Sequence, residues 1–250
     1  MDKQYYNEYY HIERDHWWFK ARMEILEVLV QKHFQHGKRE LKILNVGVAT
    51  GATSIMLQKY GEVTSLEYDK ECCEFLRETV HLDVINGSLT ELPFEDHSYD
   101  LVCAFDVIEH IENDQLAVAE MYRVLNKGGY MFVTVPAFQS IWSKHDVINH
   151  HFRRYKMEGL KQLALNEKFE IVRKSYFNFI LFPPIFIFRI ILNTLKRKQT
   201  TETVGSDFDF FKKKKLLNTI LYTLFKVEKP VLKLNINFPF GVSAFLIGKK

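Results

Sequence analysis

Residues 43–54 read ILNVGVATGATS, an apolar run that enters a small-residue loop and then opens a helix. A strand buried on both faces reads as unbroken apolar residues, as 41–46 does. The loop that follows brings backbone N–H groups and the positive end of a helix to the carboxyl edge of the sheet, where ligands of open α/β sheets bind. Gly47 and Gly51 allow close approach of backbone to ligand. A dinucleotide fingerprint would read G-x-G-x-x-G/A. Gly47 and Ala52 fit it, but Ala49 stands where a glycine admits the pyrophosphate. Some twenty residues on, Glu67 ends the next apolar run, followed by Tyr68 and Asp69. An acid there is placed to hold ribose hydroxyls.

Around this loop, short apolar runs alternate with helical stretches from 41 to about 136, the pattern of a parallel α/β sheet. Strands are expected at 41–47, 62–69, 82–88, 129–137, 169–177 and 241–250, with another in 99–110 that runs into a loop, and helices at 53–60, 70–80, 114–125 and 156–169. Asn126, Lys127 and Gly128 read as a C-cap signal for the third of these helices. The chain has 250 residues, 47% of them hydrophobic, enough for one large domain or a domain with an insertion. A net charge of +3 is too mild to argue for a nucleic-acid partner. Three cysteines, Cys72, Cys73 and Cys103, make no metal-spaced pairs and suit a reducing, cytoplasmic compartment. The polar, aromatic first residues are no signal peptide.

Taken in order, these stretches resemble the class I S-adenosylmethionine (SAM) methyltransferases. ILNVGVATG is similar to their first motif, usually hydrophobic-D-x-G-x-G-x-G, and VTSLEYD to their second. NGSLTELPFEDHSYDLVCAFDVIEHI and EMYRVLNKGGYMFVTVP resemble the stretches through the fourth and fifth strands in methyltransferases of the ubiquinone/menaquinone-biosynthesis type. The resemblance covers about 41–175. It implies a Rossmann-like, seven-stranded, mostly parallel sheet with an antiparallel last strand, SAM as cofactor and S-adenosylhomocysteine as product. By the same resemblance Gly47, Ala49 and Gly51 line the methionine and ribose side and Glu67 bonds the ribose diol. Tyr68 or its neighbours flank the adenine, Ser88 and Leu89 stand at the adenine edge, and Asp106 lies beside the transferred methyl group. Asn45 replaces the motif's acid, keeping an acceptor but not the charge that favours the ligand's ammonium.

Methyl transfer from a sulfonium is an in-line displacement, so acceptor placement matters most. An oxygen acceptor also needs a base. The segment VPAFQSIWSKHDVINHHFRRY, 135–155, leaves the fifth strand at the ligand edge. It offers His145 or His150 as base, with Asp146 orienting an imidazole. Arg153 and Arg154 suit an acidic group on the acceptor, with Tyr155 and His110 beside them. No spacing here is diagnostic of a metal, and none is assigned. The N-terminal segment, with Tyr9, His16, Trp17, Trp18 and Arg22, reads as a helical cap. Its aromatic faces suit a sulfonium, and Trp18 is assigned to the cofactor; the same aromatics also suit plain packing.

Four regions follow: the cap (1–40), the cofactor-binding core (41–176), a helical lid (177–239) and the final strand (240–250). The lid leaves and returns at the ligand edge and is rich in phenylalanine, which suggests an apolar acceptor. Pro183, Pro184 and Arg189 interrupt its first apolar run, so a membrane crossing is not expected. Peripheral contact through 177–198 at the inner face of the membrane, aided by Lys196, Arg197, Lys198 and Lys212 to Lys215, is one expectation. A homodimer interface is another. The expected activity is methyl transfer from SAM to an oxygen, less readily a nitrogen or carbon, of a small-molecule or lipid-linked acceptor. The rival readings are an NAD-dependent oxidoreductase and a non-catalytic SAM-binding or membrane-associated scaffold.

Overall fold

The structure is a computed structural model that describes residues 3–34, 40–196 and 215–250. Its centre is β1 (Leu41–Val46), which pairs in parallel with β2 (Gly61–Glu67) on one side and β4 (Tyr99–Phe105) on the other. β3 (Ile85–Asn86) extends the first side and β5 (Leu125–Pro136) the second, both in parallel. β7 (Ser243–Lys249) runs antiparallel between β5 and β6 (Glu170–Phe177), giving the order β3-β2-β1-β4-β5-β7-β6. Strand order reverses at β1 and β4, so the crevice at their carboxyl ends is the switch point where such sheets take ligands.

Alternate residues of each strand face opposite sides, and each side has its own core. Leu44, Val46, Val102 and Ala104 pack on one face with α5 (Asp114–Val124) and α7 (Met157–Asn166). Ile43, Leu101, Cys103 and Phe105 pack on the other with residues of α2 (Trp17–Phe34). A shorter α1 (Lys3–Asp15) precedes α2. α3 (Ala52–Leu57) follows the glycine loop, and α4 (Lys70–Phe75) continues as a π turn over Leu76–Val80.

The expected C-cap at 126–128 is instead part of β5, which starts at Leu125 directly after α5. Gly128 (φ +79°) donates its N–H to the Lys250 carbonyl, so the end of the chain supplies the partner that turns a helix exit into a strand. The third strand is only two residues long. The stretch 177–239, expected from sequence as a lid, contains α8 (Phe182–Lys196), α9 (Lys215–Lys226) and α10 (Glu228–Lys233). α9 packs on α2: Asn218 Oδ1 accepts from Trp17 N, and Glu24 takes Tyr222 and Lys229. Arg197, Lys198 and Lys212 to Lys214 lie outside the described residues. Among the described residues, no helix is long and apolar enough to cross a membrane.

Candidate active site

The glycine loop holds three residues in the left-handed region: Gly47 at φ +65°, Ala49 at +46° and Gly51 at +85°. A Cβ at Gly47 would sit 2.4 Å from Val107 Cγ2, so this position excludes any side chain by space as well as by φ. Ala49 accepts the strain because its N–H is needed: it donates to Glu67 Oε2 at 3.1 Å. The N–H groups of Tyr68 and Asp69 donate to Glu67 Oε1 at 2.9 and 3.1 Å. Burial pushes the Glu67 carboxyl above its ordinary range, while the three backbone bonds pull it down. The result is a half-buried carboxylate in fixed orientation at the carboxyl edge. Tyr68 turns its ring into solvent, 79% exposed, so it covers nothing there. Ser88 bonds Thr90, and Leu89 is buried in the core with Leu66 and Leu92.

Asn45 has a different task from the one expected of it. Its side chain is buried, and Nδ2 donates at 2.9 Å to both Thr53 Oγ1 and Ser54 Oγ. Ser65 Oγ joins Ser54 at 2.8 Å. The side chain therefore ties β1 and β2 to the first turn of α3 from beneath. Its Oδ1 is buried with no hydrogen-bond partner among the described residues.

The N-terminal helices close over the loop from above. Buried Glu13 accepts from the Thr50 hydroxyl, and Arg14 Nη2 donates to the Thr50 carbonyl at 3.2 Å. Burial raises the Glu13 pKa, with the Thr50 bond and Arg14 opposing. Arg22 reaches from α2 to Asp106 at the end of β4, 2.6 Å away, and Thr134 Oγ1 donates to the same carboxylate at 3.2 Å. Trp18, assigned to the cofactor from sequence, lies under the Arg22 guanidinium at 5.3 Å, and Trp17 packs on Phe225 of α9.

In the segment after β5, α6 (Lys144–Ile148) carries Asp146, fully buried. Asp146 receives five donors: Ser143 through N at 2.8 Å and Oγ at 3.3 Å, His151 Nδ1 at 2.9 Å, and Arg154 through Nε at 2.7 Å and Nη2 at 3.0 Å. Burial works against the charge, yet His151 and Arg154 hold this carboxyl well below the usual carboxylate range. The imidazole that Asp146 orients is thus His151, not His145 or His150. His150 occupies an exposed left-handed turn (φ +55°) that swings His151 back onto Asp146, and His145 is bonded by Asn149. Arg154 is spent on Asp146, Arg153 on Asp114 (2.8 Å) and the Glu112 carbonyl, and the Tyr155 hydroxyl on Asp114 (2.7 Å). These three build the loop; their polar groups already have protein partners.

The His151 ring meets His110 edge-on at 4.5 Å. Desolvation, then the neighbouring His151, lowers the His110 pKa to about 4. Beside them Glu109 is fully buried with both carboxylate oxygens unpartnered among the described residues. Burial and the nearby Asp106 push its pKa well above the carboxylate range. Ligand atoms of Glu109, His110 and His151 all lie within 4.8 Å of one another, making these the residues that could hold a metal ion. The sequence reading had His110, and His151 as a neighbour of the active face but not as the base; it had neither Glu109 nor Glu13. The signal for His151 was its place five residues after Asp146, which brings the two together only through a chain reversal.

Comparison with known proteins bears on this arrangement. Residues 44–133 match the family described as a methyltransferase domain. Over this core the chain resembles the class I SAM-dependent methyltransferases. The protein named "Probable S-adenosylmethionine-dependent methyltransferase" from Mycolicibacterium smegmatis is 30% identical over 127 residues, 50% of this chain and 48% of that one. A demethylmenaquinone methyltransferase of Staphylococcus aureus is 27% identical over 158 residues, 57% of this chain and 63% of its own length. The chain spans about half to just under two thirds of these curated relatives. A SAM-dependent methyltransferase structure from Thermotoga maritima superposes with a TM-score of 0.56 at 18% identity, covering 99% of this chain and 97% of that one, and shows the shared fold.

The residues of this crevice fit SAM. A carboxylate has about four lone-pair sites, and three backbone donors leave Glu67 room to accept from a ribose hydroxyl. Gly47, pressed against Val107, keeps side chains out of the switch-point crevice. The Asp106 carboxylate, 24% exposed, and the Trp18 ring supply the negative and π surfaces that suit a sulfonium.

Proposed function

We propose that the protein transfers a methyl group from SAM to an oxygen of a small-molecule or lipid-linked acceptor. SAM, when bound, supplies the electrophilic methyl group. The observation that carries this reading is Glu67, oriented by three backbone N–H groups beside a glycine loop at the switch point. Glu67 holds the ribose. The Arg22–Asp106 pair fixes the floor of the crevice at the end of β4. His151, held by Asp146 through Nδ1, keeps Nε2 free of that bond to take the acceptor's hydroxyl proton. His110 packs on the His151 ring and limits its rotation.

Calorimetry with SAM, S-adenosylhomocysteine and NAD tests the cofactor. Both sulfur ligands should bind and NAD should not. Glu67→Ala removes two hydrogen bonds to a charged acceptor, at about 1.5 kcal/mol each, and should weaken SAM binding about a hundredfold. Failure of either sulfur ligand to bind refutes the reading. Incubation of labelled SAM with lipid and aqueous metabolite extracts then identifies the acceptor class.

A further inference from the structure

α8 is built with its charge turned inward. Arg189, the one charged residue of its first ten, points into the protein, where Nη1 donates to the Ile141 carbonyl (3.1 Å) and the Ser143 hydroxyl and lies 3.8 Å from Asp146. Phe182 packs on Phe138, and Ile185 rests on the core beneath the sheet. The outward face is then Pro184, Ile187, Phe188 and Ile191, spaced i, i+3, i+4, i+7 as one helical stripe. Ile187, Phe188 and Ile191 are 58%, 60% and 50% exposed.

α9 repeats the design. Leu221 and Tyr222 pack against the same core cluster that receives Ile185, and Phe225 is buried in it. Leu216, Ile220, Leu224 and Val227 form an outward stripe at four-, four- and three-residue spacing, from 38% to 76% exposed. Ile185 of α8 and Leu221, Tyr222 and Phe225 of α9 thus reach the same core cluster, and each helix leaves an apolar stripe exposed. Monomeric soluble domains avoid such stripes unless they meet a partner. The chain joining the two helices says which partner: residues 196–215 carry seven basic residues (Lys196, Arg197, Lys198 and Lys212 to Lys215) against three acidic ones. Apolar stripes flanked by cationic clusters match the two terms of interfacial binding, buried apolar area and attraction to anionic headgroups.

We infer that α8 and α9 form a docking surface for an anionic lipid bilayer, on which the protein lies without crossing. The inference stands apart from the methyl-transfer reading, since its test needs no turnover. It also has a consequence for the site: Arg189 joins the docked helix to Asp146, so the acceptor-side loop sits directly beneath the membrane-facing helix.

The test is co-sedimentation of the full chain with vesicles of pure phosphatidylcholine and of phosphatidylcholine with an equal part of phosphatidylglycerol. Binding should be at least tenfold stronger to the mixed vesicles and should weaken as salt rises. Ile187→Asp/Phe188→Asp on α8 and Leu216→Asp/Ile220→Asp on α9 should each cost tenfold or more in vesicle affinity. Melting temperature and SAM affinity should stay unchanged, because these side chains are already exposed. Equal binding to both vesicle types, no binding to either, or variants that sediment as the parent does overturns the inference. So does a concentration-dependent dimer that the substitutions dissociate in the absence of lipid, which would assign the stripes to a second copy of the chain.

Discussion

Replacing Asp146 with asparagine should unfold the acceptor-side loop first and the domain soon after. The native carboxylate takes Ser143 N, His151 Nδ1 and both forks of Arg154, with Arg189 at 3.8 Å, and has no exposure. Asparagine keeps one oxygen but sets an NH2 group against donors, and it strips the charge that offsets Arg154, itself only 4% exposed. Leaving a buried guanidinium without its partner costs about 3–5 kcal/mol. For a domain of this size that lowers the melting temperature by about 6–20 °C.

The pH dependence carries the same signature. The folded pKa of Asp146 lies below its unfolded value. Its contribution is therefore fully present above the unfolded pKa of about 4 and is lost as pH falls through the folded value. Parent and Asp146→Asn should differ most at neutral pH and converge in acid. The double variant Asp146→Asn/Arg154→Met should recover part of the loss, since it removes the orphaned charge. Urea unfolding at a series of pH values measures all three. A loss under about 1 kcal/mol at pH 7, or a gap between parent and variant that does not narrow in acid, would refute the reasoning.

Ala49→Gly relieves a left-handed alanine and should raise stability by up to about 1 kcal/mol in thermal unfolding, with Glu67 geometry, and hence SAM affinity, retained. Asn45→Asp should change SAM affinity less than about threefold by calorimetry, because the side chain lies buried beneath α3. Dialysis against a chelator should leave turnover intact if Glu109, His110 and His151 work without a metal; loss of activity restored by a divalent cation would reassign His151 as a ligand.

The sheet was legible because each strand and helix announces itself locally. Apolar runs of strand length alternate with helical spacing, and the loop at 47–51 marks the switch point. The site was legible where it depends on short spans, as with Glu67 and the loop that orients it. It was not legible where partners come from afar. Arg22 meets Asp106 across 84 residues, and Glu13 meets Thr50 across 37. Asp146 and His151 are close in sequence, but only the turn at His150 decides which histidine faces the carboxylate. The strand at 125–128 was hidden for a similar reason: Leu125 pairs with Tyr99 of β4, and Gly128 bonds Lys250 just past β7.

The place of β7 has a consequence for how the chain is made. β5 and β6 do not touch; β7 fills the gap between them and pairs with both. Until it is synthesised, β5 presents an open edge with apolar residues on both faces, and β6 has no neighbour. The stretch from Pro136 to Lys249 takes roughly 6–20 s to translate. Throughout that interval the nascent protein carries an unpaired edge of the kind that recruits other strands. α2 waits as well, because α9 supplies much of its packing. Chaperone demand during synthesis, and sensitivity to premature termination, should therefore be high for a protein whose finished sheet leaves β5 no edge at all.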